Sequence, residues 1–237
     1  MKPLMPKQHG AWAMLIIPFL LGVIAGKPSV YHIPLFLGWF FLYLATNPLL
    51  MLVKKKNVTL YLKWTIIYAI PSIIFLLITL IGNVELFYFG LSMIPFFFIN
   101  AYFAKIKNER AIWNDFSAIT VFCIAGLASY FLGTGTLDGT AWLLFTLSLL
   151  FFIGSTFYVK TMIREKKSTT YKYLSWGYHV AVIIALPLLG YAAFVFAFLP
   201  SLVRAIYFYG KNVSVMKVGI YEIVNSVLFF IGVVIII

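Results

Sequence analysis

Charge is what this chain has least of. Charged residues are 10% of its 237 positions, against roughly 25% in an ordinary soluble domain. That shortage excludes a water-soluble fold. Only 6 positions are Asp or Glu, which leaves little for a carboxylate metal centre or a paired acid and base. One cysteine, Cys123, lies in an apolar run, so neither a disulfide framework nor a cysteine metal site can be built. There is no P-loop, zinc spacing, GxSxG elbow or dinucleotide fingerprint. No metal and no cofactor is therefore expected. No repeat, low-complexity tract or linker divides the chain, so a single transmembrane domain over residues 1–237 is expected.

What the chain has instead is hydrocarbon. Hydrophobic residues are 63% of it and mean hydropathy is +1.02. A membrane helix needs about 20 apolar residues, within a range of about 17–25. The runs that qualify are Ala11–Gly26, Pro34–Val53, Trp64–Ile81, Leu86–Ala104, Phe116–Leu132, Ala141–Val159, Leu174–Leu189, Ala192–Tyr209 and Val218–Ile237. They predict an all-α polytopic membrane bundle of about nine transmembrane helices. Gly190 and Tyr191 alone separate the seventh and eighth runs, so these two are alternatively a broken hairpin or a re-entrant pair. The start has a basic end before an apolar run but no small-residue cleavage pattern, and it reads as a retained first span.

The cations test that count. With loops assigned alternately to two sides, every Lys and Arg of the 18 except Lys27 falls on the side of the N-terminus. A missed span would scramble this bias. The positive-inside rule then puts the N-terminus in the cytoplasm and the C-terminus outside. The net charge of +12 would point to nucleic acid in a soluble protein. In short membrane loops it is a topology signal, so the lipid bilayer is the expected partner and nucleic acid is not.

Prolines 18, 48, 71, 95, 187 and 200 fall inside predicted spans. Each removes a backbone donor and bends its helix, which bundles tolerate where neighbours or a cavity satisfy the freed carbonyls.

A few polar side chains need an explanation. The stretch Gly154–Lys172 ends one span and opens a basic loop. If the span stays helical, Phe157, Lys160, Thr161 and Arg164 share a face, and two cations one turn apart suggest a held anion. Headgroup anchoring is the plainer alternative. Asn47, before Pro48, must find a partner in hydrocarbon, and it shares a face with Lys54. His9 precedes the first span, in Pro6-Lys7-Gln8-His9-Gly10-Ala11-Trp12, where it is either an interfacial residue or part of a site. Asn114 reads as the N-cap of the fifth span, and Asp115 suits the positive end of its dipole. His179 lies within the seventh span, on the face of Ser175. Arg204 and Glu222 lie at similar depth in the last two spans, where an unpaired charge is costly and a pair is expected. The alternative is that Arg204 faces a cavity and holds an anion, with Glu222 setting its position.

The runs PKQHGAWAMLIIPFL, ATNPLL, NERAIWND, STFYVKTMIREK and PSLVRAIYFYGK resemble the bacterial YwiC-like membrane proteins over nearly the whole chain. The resemblance implies a multi-pass protein of the bacterial cytoplasmic (inner) membrane and leaves its biochemical role open. A second resemblance is architectural. UbiA-type intramembrane prenyltransferases have nine helices, with Asp-rich motifs at the ends of the second and sixth that hold Mg²⁺ and a prenyl diphosphate. Here the corresponding ends carry Asn47 with Lys54 and Lys55, and Lys160 with Arg164. Mg²⁺ takes oxygen ligands, so these positions cannot hold it. Basic side chains there would meet a phosphate or carboxylate directly.

The resulting expectation is a cytoplasm-facing site for an amphipathic anion, an isoprenoid or a lipid phosphate. Lys160 and Arg164 come first as its contacts, then Arg204, His179, Asn47 and His9. Any enzymatic step would be a metal-independent transfer or lyase reaction. The rivals are a small-anion transporter and a non-catalytic membrane assembly subunit.

Overall fold

The computed structural model describes residues 3–6 and 9–237, with the side chain of His9 outside the described set. Among the described residues the regular structure is helical, with no strand. In order the helices are α1 (His9–Ala25), α2 (His32–Val53), α3 (Val58–Gly82), α4 (Leu86–Lys105), α5 (Ile112–Thr134), α6 (Gly139–Val159), α7 (Thr169–Leu188), α8 (Val195–Tyr207) and α9 (Val215–Ile236). A π-helical turn, Lys160–Arg164, extends α6, and a 3₁₀ turn, Ala192–Phe194, leads into α8.

Helix ends follow hydrogen bonds rather than hydropathy. α3 starts at Val58, well before the apolar run, because the Asn57 side chain accepts from Leu60 N–H at 3.3 Å. Ser168 caps α7 through Tyr171 N–H at 3.3 Å, and Ser214 caps α9 through Lys217 N–H at 3.4 Å. These caps satisfy donors that the first turn leaves free. Asn114 does not cap α5. That helix begins two residues earlier, at Ile112, and the Asn114 amide donates to the Glu109 carbonyl at 2.8 Å. Asp115 does lie in the first turn. The six interrupting prolines all lie inside helices.

Six helical segments are long and apolar enough to cross a membrane: α2, α3, α4, α5, α6 with its π turn, and α9. α1 and α8 are shorter apolar helices. α7 has 20 residues, but Thr169, Thr170, Lys172 and Ser175 make its first half polar. The chain is therefore a multi-pass helical membrane protein. A count of nine spans depends on those three helices.

The helices gather into two compact units. The first holds the N-terminal segment and Pro18–Phe145; the second holds His9–Ile17 and Thr146–Ile237. In the first, α2 packs on α3 and α4 on α5. The last two turns of α1 meet α5 through glycines, as Gly22-x-x-x-Gly26 faces Gly126 and Gly133. A Cβ on Gly126 would sit 2.7 Å from the Pro18 carbonyl oxygen, and one on Gly133 would run into the Gly26 and Lys27 carbonyls. Small residues let membrane helices approach backbone to backbone, which is where their packing energy comes from. Among the described residues the buried His, Ser and Thr side chains of this unit each have a backbone carbonyl partner. His32 Nε2 meets Ser129 O at 2.8 Å, Ser129 donates to Phe19 O at 2.9 Å, and Ser72 donates to Gly38 O at 2.9 Å. Thr79 donates to Phe75 O and Ser117 to Asn114 O, both at 2.9 Å.

In the second unit, α7 packs on α8 and α8 on α9. The buried stripes recur at helical spacing: Ser175, His179, Val182 and Leu186 on α7, and Val218, Glu222, Asn225, Ser226, Phe229 and Val233 on α9. Several of these buried positions are polar, and they form the site below.

Candidate functional site

The core of the second unit is layered. At one level Phe151 of α6 stacks on Phe229 of α9 at 4.0 Å, and Phe198 of α8 meets Phe229 edge-on at 5.4 Å. At another level Tyr158, Met162, Ala205 and Val218 form an apolar cluster. About two to three helical turns separate these layers along α6, α8 and α9. In that interval each helix turns polar groups inward: Ser155 on α6, Ser175 and His179 on α7, Ser201 and Arg204 on α8, and Glu222 and Asn225 on α9.

Arg204 and Glu222 are each only 6% exposed. Arg204 Nη1 pairs with a Glu222 carboxylate oxygen, and Ser155 lies beside that carboxylate. The guanidinium sits over the Tyr158 ring, 4.0 Å from its centroid. Its other edge is uncommitted, because Nε and Nη2 are buried with no hydrogen-bond partner. Tyr158 Oη and Ser175 Oγ are in the same condition. Orphaned donors are uncommon in folded proteins and costly where they occur.

His179 ends the layer. Its Nδ1 lies 2.7 Å from the Ser175 carbonyl. A carbonyl only accepts, so Nδ1 carries the hydrogen and Nε2 is left as an acceptor. That Nε2 has no partner. It borders a cavity of about 10 Å³ that Gly154, Tyr178 and Ser201 also line, the room of about one water. Ser201 Oγ accepts from the Asn225 amide at 2.9 Å, which leaves its own hydrogen to donate. A polar chain thus runs from α9 through α8 to the cavity at His179.

The sequence profile of the YwiC-like protein family matches residues 5–130, more than half of the chain. The chain belongs to the YwiC-like family. It is 51% identical over 229 residues to "Uncharacterized protein YwiC" of Bacillus subtilis strain 168, covering 97% of this chain and 96% of the relative. An "Uncharacterized protein" of Haemophilus influenzae is 42% identical over 231 residues, covering 98% and 97%. No solved structure matches, and none of the comparisons shows the likeness to UbiA-type prenyltransferases.

In this YwiC-like chain the two foremost anion contacts part company. Phe157, Lys160 and Thr161 are buried, whereas Arg164 is exposed. The expectation of one face assumed an α-helix. The π turn, closed by Glu165 N–H on the Lys160 carbonyl at 2.7 Å, inserts a residue and swings Arg164 outward. Such turns recur at functional sites. Lys172, from the same basic loop, lies over the rings of Trp176 and Tyr209, at 4.6 and 5.1 Å. Asn47 is half-buried and belongs to the first unit, as does Lys54. Lys54 pairs with Glu109. Its partial burial, with Lys56 and Lys107 adding repulsion, holds its ammonium below the usual lysine pKa. The His9 side chain lies outside the described residues. Of the sequence candidates, Arg204 and His179 share the polar layer, within electrostatic reach of each other.

Sequence reasoning missed Tyr158 and Ser155. Their signal was weak but present: both recur at helical spacing with Phe151 and Met162. His32 was passed over as well, although it is fully buried and ties α2 to α5.

Proposed function

We propose that this multi-pass membrane protein binds the anionic head of an amphipathic ligand, a lipid phosphate or an isoprenoid phosphate, with Arg204 as the contact. One observation carries the reading. Glu222 occupies Nη1 of Arg204, while Nε and Nη2 are buried without partners. These two N–H groups form the side-on edge of the guanidinium, the fork that takes two oxygens of one phosphate or carboxylate. Tyr158 Oη supplies a further uncommitted donor. On this reading Glu222 is a positioning residue, because it holds the guanidinium in place and leaves the fork open. The cavity at His179 takes about one water, so a head group enters only if the layer opens. The bias of Lys and Arg to one side supports a cytoplasmic N-terminus, and membership of the YwiC-like family supports a bacterial cytoplasmic membrane.

Native mass spectrometry of the detergent-purified protein tests this. The wild type should carry a phosphate-bearing lipid. Arg204→Lys keeps the charge that faces Glu222 but not the fork, so it should lose the lipid while its thermal unfolding stays close to wild type. Retention of the lipid by Arg204→Lys, or a wild type that carries none, overturns the reading. The second of these outcomes favours an assembly subunit.

A small-anion permease is the second reading, and the break before α8 favours it. The chain turns at Gly190, whose φ is +87°. α8 itself has 13 residues, about 20 Å at 1.5 Å per residue, short of the roughly 30 Å hydrocarbon core. Discontinuous helices recur at transporter binding sites. Phosphate flux into proteoliposomes, lost in Arg204→Lys, would favour this reading over the first.

A further inference from the structure

The first unit contains a second cavity, of about 280 Å³, nearly twice the roughly 150 Å³ apolar cavity that takes benzene. We infer that it is a binding site for one acyl chain of a bilayer phospholipid. Its walls run from fully buried to exposed. Trp39 and Ala128, 6% and 5% exposed, form the inner wall, whereas Leu91 and Ile94 of α4, 50% and 45% exposed, stand at the mouth. A cavity graded in this way opens toward the hydrocarbon that surrounds a membrane helix. Two lining side chains carry a polar atom, Trp39 and Thr79, and Thr79 donates its hydroxyl to the Phe75 carbonyl. The other lining side chains are apolar, whereas a buried water needs two to four polar partners.

The lining on α4 runs from Leu86 to Ile94, about 12 Å of helix at 1.5 Å per residue. The lining therefore follows α4 for about two turns. Unfilled space of this size forfeits dispersion contacts along its walls, and at this depth the material in excess is lipid chain. Gly90 lines the cavity, and a Cβ placed on it meets no atom within 4 Å. The glycine therefore keeps the site open without any backbone requirement of its own.

Contact quenching of tryptophan tests this. Two single-tryptophan proteins are made, one keeping Trp39 and the other keeping Trp142, which is 51% exposed. Each is reconstituted into phosphatidylglycerol vesicles whose acyl chains are brominated at a series of depths. Trp39, shielded from the surrounding lipid, should be quenched nearly as strongly as Trp142. Gly90→Phe fills the space, and it should cut the quenching of Trp39 several-fold and leave that of Trp142 unchanged. Absence of Trp39 quenching in the Gly90 protein overturns the inference, and so does quenching that Gly90→Phe leaves intact. Should Gly90→Phe fail to insert, Gly90→Leu makes the same comparison.

Discussion

The two units of this chain differ in how they treat most of their buried polar groups. In the first, His32, Ser72, Thr79, Ser117 and Ser129 each lean on a backbone carbonyl. The helices approach closely through Gly22, Gly26, Gly126 and Gly133. In the second, three of the buried polar groups are charged, Lys160, Arg204 and Glu222, and several atoms of the polar layer have no hydrogen-bond partner. Saturated hydrogen bonds and glycine contacts stabilise a membrane fold. Orphaned donors in a dry layer destabilise it, and they persist where another constraint holds them. The contrast separates a part of the chain whose buried serine and threonine hydroxyls are bonded from a part with buried donors to spare, on which the proposed anion site rests.

The contrast can be broken most sharply at Glu222. Glu222→Gln leaves the Arg204 cation buried and unpaired, which should cost roughly 3–5 kcal/mol, read as thermal unfolding in detergent. The double variant Arg204→Met with Glu222→Leu should recover most of that loss, because an apolar pair removes both charges. A Glu222→Gln protein as stable as wild type would mean that the pair does not constrain the second unit.

In the first unit the matching probe is Gly133→Ala, whose added methyl meets the Gly26 and Lys27 carbonyls. Overpacking of this kind costs about 1–3 kcal/mol. The same substitution at Gly177 of α7, where a Cβ meets nothing within 4 Å, should leave the unfolding midpoint unchanged or raise it. Equal effects at the two positions would remove the distinction between a packed and an open glycine.

Smaller still is Ser129→Ala. It deletes the hydrogen bond to Phe19 O, and interhelical bonds in membranes average about 0.6 kcal/mol. A loss several times larger would show that Ser129 also holds its own carbonyl in place for His32, and a differential unfolding scan distinguishes the two.

The smallest effect lies at the surface. The Asp138 carboxylate accepts from Ala141 N–H at 3.1 Å, from Tyr130 Oη at 2.9 Å and from Thr140 N–H at 2.9 Å. With the Ala141 bond foremost, these contacts hold its pKa below the usual carboxylate value. The folded form therefore favours the ionised group. The stabilisation is fully present above the ordinary aspartate pKa of about 3.9 and is lost as pH falls through the lower, folded value. An acid-unfolding curve should flatten in Asp138→Asn over that window, with the variant slightly less stable than wild type at neutral pH and converging with it at the acid end.

How far the sequence could be read depended on the length scale of each signal. The Arg204 and Glu222 depths follow from counting along apolar runs. The helix starts at Val58, Ile112 and Thr169 did not follow from hydropathy, because side-chain caps and loop bonds set them. Arg164 was assigned to the wrong face for a local reason: one additional residue in the turn Lys160–Arg164 rotates everything after it, and hydropathy is blind to that. Gly22-x-x-x-Gly26 was passed over in the sequence, and its partner surface on α5 appears only in the structure.

Composition and the length of the apolar runs alone determined that this chain is a multi-pass helical membrane protein, since continuous runs of about 20 apolar residues satisfy their backbone in lipid as helices. The one-sided cations come from the sequence as well. Only the tertiary structure decided which polar residues meet. Tyr158, His179, Arg204 and Glu222 lie on four successive helices, and their shared layer exists because packing turned those four faces toward one another.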